Sequence, residues 1–271
     1  MPTLQPADIT GGEPHQFRQV AESFGGDAER YDRSRPQYPA AMIDAIVSAS
    51  PGSDFLDVGC GTGIAARQFQ AVGARVLGVD VDGRMAGWAT SRGLEVEISA
   101  FETWDRKNRD FDAVVAGQAW HWVDPVVGAA KAVEALRPGG RIAVFWNAAR
   151  LPEDLVEKLA SVYRRVIPGS IAARQGASSA VRGYSRFCER AAAGMRVSGS
   201  FEEPERWRFH WERTYSGEQW LDQLPTHGDL SRLPADALEA VLSGVATAIE
   251  AQGGSVPVGY CTLVETAAKS A

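Results

Sequence analysis

Three glycines at alternate positions follow an apolar segment that carries an acid, in the sequence Phe55-Leu56-Asp57-Val58-Gly59-Cys60-Gly61-Thr62-Gly63. Because glycine lacks a Cβ, a chain with this spacing bends sharply and brings its backbone against a ligand. A second apolar segment ends at Asp80, about 20 residues beyond the glycines, the spacing at which an acid reaches a ribose hydroxyl. These residues predict a site for a ligand that contains a nucleoside.

The glycine segment is compatible with more than one cofactor. Gly61-Thr62-Gly63-Ile64-Ala65-Ala66 fits the G-x-G-x-x-A form of dinucleotide-binding folds. An NAD(P)-dependent oxidoreductase is therefore one hypothesis for this chain.

The stretch Leu56–Gly63 also resembles, nearly letter for letter, the first motif of class I S-adenosylmethionine-dependent methyltransferases. In that family the carboxylate before the first glycine lies near the methionine amino end of the cofactor, where an ammonium group needs an anionic partner. Asp57 would repel the pyrophosphate that NAD presents at this point. The resemblance therefore favours S-adenosylmethionine as cofactor and S-adenosylhomocysteine as product.

The resemblance covers roughly residues 24 to 147 and is closest to the group that includes trans-aconitate methyltransferase-like enzymes. Its further motifs are Tyr31 with Arg35-Pro36 and Tyr38-Pro39, Gln118-Ala119-Trp120-His121-Trp122 with Asp124-Pro125, and Leu136-Arg137-Pro138-Gly139-Gly140. In such enzymes the segment around the Tyr and Arg closes over the ligands, and the element after the fourth strand lines the methyl-transfer pocket. The resemblance thus implies a lid that contains Phe24, Tyr31 and Arg35.

The predicted site has three sets of residues. The cofactor set comprises Tyr31, Arg35, Asp57, Gly59, Cys60, Gly61, Gly63, Asp80, Val81, Met85, Ala100, Phe101, Glu102 and Gln118. The substrate set comprises Phe24, Trp120, Trp122, Trp146 and Asn147. His121 is the candidate general base for a hydroxyl or amine acceptor, whereas a carboxylate acceptor is already ionised at neutral pH and needs no base. Ala100-Phe101-Glu102 departs from the small and acidic residues that the family often has around the adenine.

Apolar segments alternate with helical patterns through the first half of the chain. Strands are expected at Phe55–Val58, Ala74–Val79, Leu94–Ile98, Phe111–Ala116 and Ile142–Trp146, with a helix at Pro125–Leu136 that starts at the Asp124 cap. This alternation predicts an α/β fold with a doubly wound, mainly parallel sheet, of the Rossmann-like methyltransferase type. Ligands then lie beyond the carboxyl ends of the strands.

The domain organisation is expected to comprise four parts. Residues 1–38 form an N-terminal segment and helical lid, and residues 39–150 form the cofactor-binding core. Residues 151–204 form a helical or irregular insertion on the substrate side, in which residues 168–186 show no period. Residues 205–271 contribute strands at Glu205–Tyr215 and Val256–Val264 and a helix around Leu238–Ile249 that complete the sheet.

Composition limits the partners and the compartment. A formal net charge of −6 over 271 residues argues against a nucleic-acid backbone as partner. No apolar run approaches the roughly 18 residues of a membrane span, and residues 1–12 lack the apolar core of a signal peptide. Three distant cysteines suit a reducing compartment, so a cytoplasmic protein, either a monomer or a homodimer, is expected. The histidines and cysteines show no metal-ligand spacing.

The leading hypothesis is an enzyme that transfers a methyl group from S-adenosylmethionine to a small-molecule acceptor by direct SN2 displacement, with a carboxylate or hydroxyl oxygen favoured. A non-catalytic S-adenosylmethionine-binding protein is the third alternative, beside the oxidoreductase. Alignment of acceptor and methyl group can supply about 7–11 kcal/mol of barrier reduction without an acid or a base.

Overall fold

The computed structural model describes residues 15, 25–168, 170, 173, 180–228 and 230–270. The strands in this part of the chain are β1 (Asp54–Val58), β2 (Arg75–Asp80), β3 (Glu95–Ile98), β4 (Phe111–Gly117), β5 (Leu136–Arg150), β6 (Glu205–Ser216) and β7 (Ser255–Ala268). The helices are α1 (Ala28–Ser34), α2 (Ala40–Ser48), α3 (Ile64–Ala71), α4 (Gly83–Ser91), α5 (Pro125–Ala135), α6 (Glu153–Val166), α7 (Ala180–Ser198), α8 (Gly217–Gln223) and α9 (Ala235–Glu250). Short 3-10 turns lie at Phe101–Thr103, Trp120–Trp122 and Leu224–Thr226.

The strands form a seven-stranded sheet in the order β3-β2-β1-β4-β5-β7-β6. The first five are parallel, whereas β7 runs antiparallel between β5 and β6. The predicted doubly wound, mainly parallel sheet is confirmed. Because β1 lies between β2 and β4, the chain order reverses beside β1, and a crevice opens there at the carboxyl ends of the strands.

Each face of the sheet is covered by helices because both faces of its central strands are apolar. On one face, Leu56, Val114, Val144 and Trp146 belong to a buried cluster that includes side chains of α5 and α7. On the other face, Phe55, Val115 and Phe145 pack with residues of α2 and α3. A third cluster joins α6, α8 and α9 to the ends of β5 and β7. Strands buried on both sides place their polar side chains at the strand ends, where a ligand is accessible.

The predicted start of α5 is confirmed. The Asp124 carboxylate accepts hydrogen bonds from the N–H groups of Val126 and Val127, both at 2.9 Å, and Pro125 occupies the first turn. The helix ends at Ala135, one residue before the expected Leu136, and β5 begins directly after it, so this strand is much longer than the expected Ile142–Trp146. Pairing with β4 shifts register between Phe111 and Ala113, and this irregularity accommodates the extra residues.

The segment 151–204 is more helical than its sequence indicates. α7 begins within residues 168–186, but its buried stripe of Tyr184, Phe187, Cys188, Ala191 and Met195 extends mostly beyond Arg186. The sequence of residues 168–186 therefore shows no helical period of apolar residues. Residues 169, 171–172 and 174–179 lie outside the described part of the chain. Among the helices that are described, none has the length and apolar character needed to cross a membrane.

We predict that Gly194→Ala destabilises the protein. α7 approaches α5 so closely that a Cβ at Gly194 would overlap the Pro125 carbonyl oxygen. Overpacking of this kind costs about 1–3 kcal/mol. Gly87 is the matched control, because it is an exposed helical glycine with no neighbour within 4 Å of a built Cβ. Gly87→Ala should stabilise by about 0.5–1 kcal/mol. Urea unfolding measures the change in the free energy of unfolding, which should be negative for Gly194→Ala and positive for Gly87→Ala. Equal stabilities of the two variants would contradict the close helix contact.

Candidate active site

The turn after β1 is held by a carboxylate from β2. Asp80 Oδ2 accepts a hydrogen bond from the Gly61 N–H at 2.7 Å, and Asp80 Oδ1 accepts one from the Asp82 N–H at 2.8 Å. Gly59 and Gly61 both have positive φ, 66° and 55°, which glycine adopts without strain. A Cβ at Gly59 would also meet the Ala119 Cβ at 2.5 Å. The glycines are therefore required by backbone conformation and by the approach of the loop after β4.

Two adjoining cavities open at this turn. The first cavity lies over the ends of β2 and β4 and is lined mainly by apolar side chains, with carboxylates at its rim: Val58, Val79, Asp80, Val81, Met85, Ala100, Phe101, Glu102, Ala119, Trp122 and Val123. The second cavity lies under the segment 35–38 and is lined by Arg35, Pro36, Tyr38, Asp57, Cys60, Thr62, Ile64, Ala65 and Asn147. Both share Tyr31, Gly59, Gly61, Gly117 and Gln118. Together they form a continuous candidate site.

The structure brings together all but one of the predicted cofactor residues. Gly63 is the exception, since it caps α3 with a φ of 83° and lies outside both linings. Of the predicted substrate residues, Trp122 lines the first cavity and Asn147 lines the second. Phe24 lies outside the described residues.

Trp120, His121 and Trp146 are placed in the core instead of on a cavity wall. Trp120 and Trp146 are 2% and 0% exposed and belong to the cluster beneath α5 and α7. An extended chain after β4 would alternate these side chains, but Trp120–Trp122 forms a 3-10 turn that removes the alternation. Of the aromatic residues after β4, Trp122 therefore lines the first cavity, whereas Trp120 and His121 pack in the core and do not line either cavity.

His121 is unsuited to the predicted role of general base. The Trp146 indole, which can only donate, gives its Nε1–H to His121 Nδ1 at 3.2 Å. A neutral imidazole that accepts at Nδ1 carries its proton on Nε2, so neither nitrogen is ready to take another. Burial, reinforced by the Arg190 charge, lowers the pKa of His121 to about 3. The ring also stacks on Phe187 at 4.6 Å. His121 is a neutral packing residue in this structure.

Asp57 is a buried carboxylate whose charge has little compensation. It is 1% exposed, and neither oxygen has a hydrogen-bond partner of good geometry among the described residues. Burial, followed by repulsion from Asp80, raises the pKa of Asp57 to about 8, and the backbone N–H of Ala66 offsets only part of this rise. Buried carboxylates are normally paired or hydrogen-bonded. An unpaired one on a cavity wall is suited to a cationic group of a ligand.

The segment around α1 closes one side of the site through contacts with the C-terminal half of the chain. Arg33 donates two hydrogen bonds to the Asp222 carboxylate, both at 2.9 Å. Arg35 Nη2 donates to the Thr226 carbonyl at 2.6 Å, and its guanidinium lies 4.8 Å from the centre of the Tyr31 ring. Arg35 Nε is buried with no hydrogen-bond partner among the described residues. The Arg35 guanidinium is therefore anchored at Nη2, and the residue is part of the lining of the second cavity.

Gln118 has a backbone conformation that is uncommon for a residue with a side chain. Its φ is 57°, and its N–H donates to the Phe145 carbonyl at 2.8 Å. Its Nε2 donates to the Asn147 carbonyl at 3.4 Å, whereas Oε1 is buried with no partner among the residues described. Strain of this kind persists where surrounding structure enforces it, often at functional sites. Gln118 thus offers an acceptor oxygen at the boundary of the two cavities.

Sequence reasoning missed several cavity residues, of which Gly117 is the most informative, and it included Tyr38 in a motif without assigning it to the site. A Cβ at Gly117 would lie 2.6 Å from the Tyr38 hydroxyl and 2.8 Å from Phe145. The sequence shows a glycine at the end of β4, but the reason why this position must be glycine is visible only in the packing of Tyr38 and Phe145 against it. In the part of the chain that is described, no cluster of three or more His, Cys, Asp or Glu residues is arranged to hold a metal ion.

Comparison with known proteins identifies the domain. A methyltransferase-domain family model matches residues 56–144. An uncharacterized methyltransferase of Mycobacterium tuberculosis is 34% identical over 133 residues, which are 48% of this chain and 54% of that protein. The chain thus spans about half the length of the curated relatives it matches.

Solved structures share the fold. A protein of Anaeromyxobacter dehalogenans assigned as a type II methyltransferase superposes with a TM-score of 0.60 and 22% identity, covering 86% of this chain and 97% of that one. Phosphoethanolamine N-methyltransferase 2 of Haemonchus contortus, in complex with S-adenosyl-L-methionine, gives a TM-score of 0.52 and 17% identity over 96% of this chain and 60% of that one.

We predict that the affinity for S-adenosylhomocysteine depends on pH through Asp57. With the Asp57 pKa at about 8, the site gains its negative charge as pH rises from 6 to 8, so wild-type affinity should increase over this range. Asp57→Asn should bind about 10- to 100-fold more weakly at pH 8 and lose the pH dependence, because a charge-assisted bond contributes about 1.5–3 kcal/mol. Calorimetry measures both, and the exposed Asp44→Asn is the matched control.

The same pKa predicts a change in stability. An acid whose folded pKa exceeds its unfolded value of about 4 destabilises the protein on ionising, so its contribution is lost as pH rises from about 4 to 8. Asp57→Asn should therefore be more stable than wild type at pH 8, with a smaller difference at pH 5. A pH-independent difference in urea unfolding would contradict the unpaired carboxylate.

Proposed function

The chain belongs to the class I S-adenosylmethionine-dependent methyltransferases, and we propose from this premise that it transfers a methyl group from S-adenosylmethionine to an oxygen of a small-molecule acceptor. A carboxylate oxygen is favoured, and a hydroxyl oxygen is the second candidate. The observation that carries the proposal is the unpaired Asp57 carboxylate beside an apolar cavity with acidic rim residues.

The residues present fit this cofactor. The first cavity offers apolar surface for a purine from Val81, Met85 and Phe101, and the Asp80 and Glu102 carboxylates accept from ribose or adenine donors. Asp57, in the second cavity, suits the ammonium group at the methionine end. A dinucleotide would bring a pyrophosphate toward the same buried acid, which repels the phosphates when it is ionised and offers them no cation when it is protonated. The NAD(P)-dependent oxidoreductase is therefore not favoured.

The reaction requires little chemistry from the side chains. When bound, the cofactor supplies a methyl group that is already activated on a sulfonium. The contribution of this chain is to hold the acceptor in line with that group and to exclude water. Tyr31 and Arg35 close one side of the cavities, while Gln118 and Asn147 border the region that the cavities share. Orientation of this kind can lower a barrier by about 7–11 kcal/mol.

Arg35, the basic residue in the lining of the second cavity, favours an anionic acceptor. Arg35 presents a buried Nε without a partner in the described part of the chain, which is suited to hydrogen-bond a carboxylate. A carboxylate is ionised at neutral pH and reacts without a base, in agreement with the neutral, low-pKa state of His121. The Haemonchus relative takes phosphoethanolamine, so the shared fold does not determine the acceptor atom, and the proposal depends on the local groups.

We expect methylation of small carboxylic acids. The protein, a panel of mono-, di- and tricarboxylic acids and S-adenosylmethionine with a labelled methyl group should give labelled, base-labile esters by mass spectrometry. Arg35→Gln should raise KM for the acid about 10-fold or more, because a charged hydrogen bond is removed, with a smaller effect on a matched neutral alcohol. Labelled alcohols without labelled acids would support hydroxyl methylation instead.

Turnover should not depend on His121. In His121→Asn the amide oxygen can still accept from Trp146, and kcat should stay within a small factor of wild type with the same pH profile. A general base would contribute about 10²–10⁴ in rate. Loss of an inflection near neutral pH together with such a drop in kcat would restore His121 as base.

Two outcomes would replace the proposal. Tight S-adenosylhomocysteine binding without turnover across acids, alcohols and amines would support a non-catalytic binding protein. A thermal shift with NADH and none with S-adenosylhomocysteine would support the oxidoreductase.

A further inference from the structure

β6 forms one edge of the sheet. It pairs along its whole length, from Glu205 to Ser216, with β7 on one side. On its other side, no strand of the described part of the chain continues the sheet. A long edge strand leaves a row of backbone N–H and C=O groups ready to pair with another chain. Proteins usually shorten, charge or cover such an edge. This strand of 12 residues is long, and it carries four aromatic and five charged side chains of both signs.

The side chains of β6 divide into two rows. Trp207, Phe209 and Trp211 are half-buried against the apolar clusters on one face of the sheet. The opposite row contains charged or polar residues and is more exposed: Arg206, Arg208, His210 and Glu212. The aromatic rings are thus only partly covered by their own chain, and they retain apolar surface along the edge.

The order of residues in β6 is self-complementary when the strand is read against its own reverse. From the structure we infer that two copies of this chain pair through β6 in antiparallel fashion, with Phe209 on the two-fold axis. In this register Glu205 faces the partner's Arg213, and Arg206 faces the partner's Glu212. Trp207 faces the partner's Trp211, and Phe209 faces its own copy. Arg208 faces the partner's His210, which carries no opposite charge. Each two-fold operation repeats these pairs, so four of the five charged residues of the strand face an opposite charge.

Symmetry allows few alternatives to this register. A two-fold axis perpendicular to an antiparallel pair keeps each row on its own face and places one residue opposite itself. An axis at Arg208 would bring two arginines together, which is destabilising. An axis at His210 retains only Arg208 opposite the partner's Glu212. The axis at Phe209 gives the largest number of opposite-charge pairs and stacks all three aromatic positions.

The charged side chains are already oriented within each chain. Arg206 Nε donates to the buried Glu265 carboxylate at 2.7 Å, and the Arg213 guanidinium lies 4.4 Å from the centre of the Tyr215 ring. Glu205 accepts from the Trp207 indole at 3.1 Å. Pairing therefore orders few additional rotamers. The resulting dimer has one continuous sheet of twice the strand number, with both unpaired edges of the β6 strands removed.

Sedimentation velocity and light scattering test the interface in the wild-type protein, which should be a dimer. Phe209→Lys places two like charges on the axis and should give a monomer at concentrations where wild type is dimeric. Ile98→Lys is the matched control, because Ile98 is 65% exposed at the end of β3, the opposite edge of the sheet. Circular dichroism checks that both variants remain folded. A monomeric wild type, or a dimer unaffected by Phe209→Lys, would overturn the proposal.

Charge exchange tests the register independently of aromatic packing. Glu205→Arg should weaken the dimer by opposing the partner's Arg213, and adding Arg213→Glu should restore it. Phe209→Cys should form a disulfide-linked dimer with diamide as the oxidant, because directly opposed Cα atoms lie about 4.5–5.5 Å apart. Arg208→Cys, displaced from its own copy, should cross-link far less. Failure of rescue together with equal cross-linking at both positions would exclude this register.

Discussion

The candidate site depends on the hydrogen bond that the Gly61 N–H donates to the Asp80 carboxylate. This bond ties the turn after β1 to the end of β2 and holds glycines in a conformation with positive φ. Burial raises the pKa of Asp80, but its bonds to the backbone of Gly61 and Asp82 oppose the rise. Asp57 lies next to it without such bonds, and its pKa is about 8. The two acids thus differ in their surroundings, since Asp80 holds the turn through two backbone bonds and Asp57 is left without a hydrogen-bond partner among the described residues.

The site is completed by residues that are distant in sequence from the glycine turn. α1 is held over the cavities by the bonds from Arg33 to Asp222 and from Arg35 to the Thr226 carbonyl. These contacts connect the N-terminal segment to α8 and the turn that follows it. The family match over residues 56–144 therefore includes the lining of the first cavity apart from Tyr31, but not Arg35, Pro36 and Tyr38, which cover the second cavity. Acceptor selection by this chain is expected to reside in those groups.

The neutral state of His121 is consistent with a reaction that needs orientation more than proton transfer. Its Nδ1 accepts from Trp146, and the ring is enclosed by aromatic neighbours. An anionic acceptor would require no general base, so the proposed reaction would not be slowed by the inability of His121 to accept a proton. The edge strand β6 is a separate feature, because its residues lie on the far side of the sheet order from β1 and β2.

The sequence by itself determined the parallel sheet, the glycine turn, and the placement of Asp57 and Asp80 toward the ends of β1 and β2. These features follow from local rules, since apolar alternation, glycine spacing and the Asp124 cap act over a few residues. Only the tertiary structure decided the positions of Trp120, His121 and Trp146. Whether these side chains face a cavity or the core depends on the 3-10 turn at Trp120–Trp122 and on helix α7, whose Phe187 packs on His121 and Trp146 from more than 40 residues away. Long-range packing of that kind leaves no period in the local sequence.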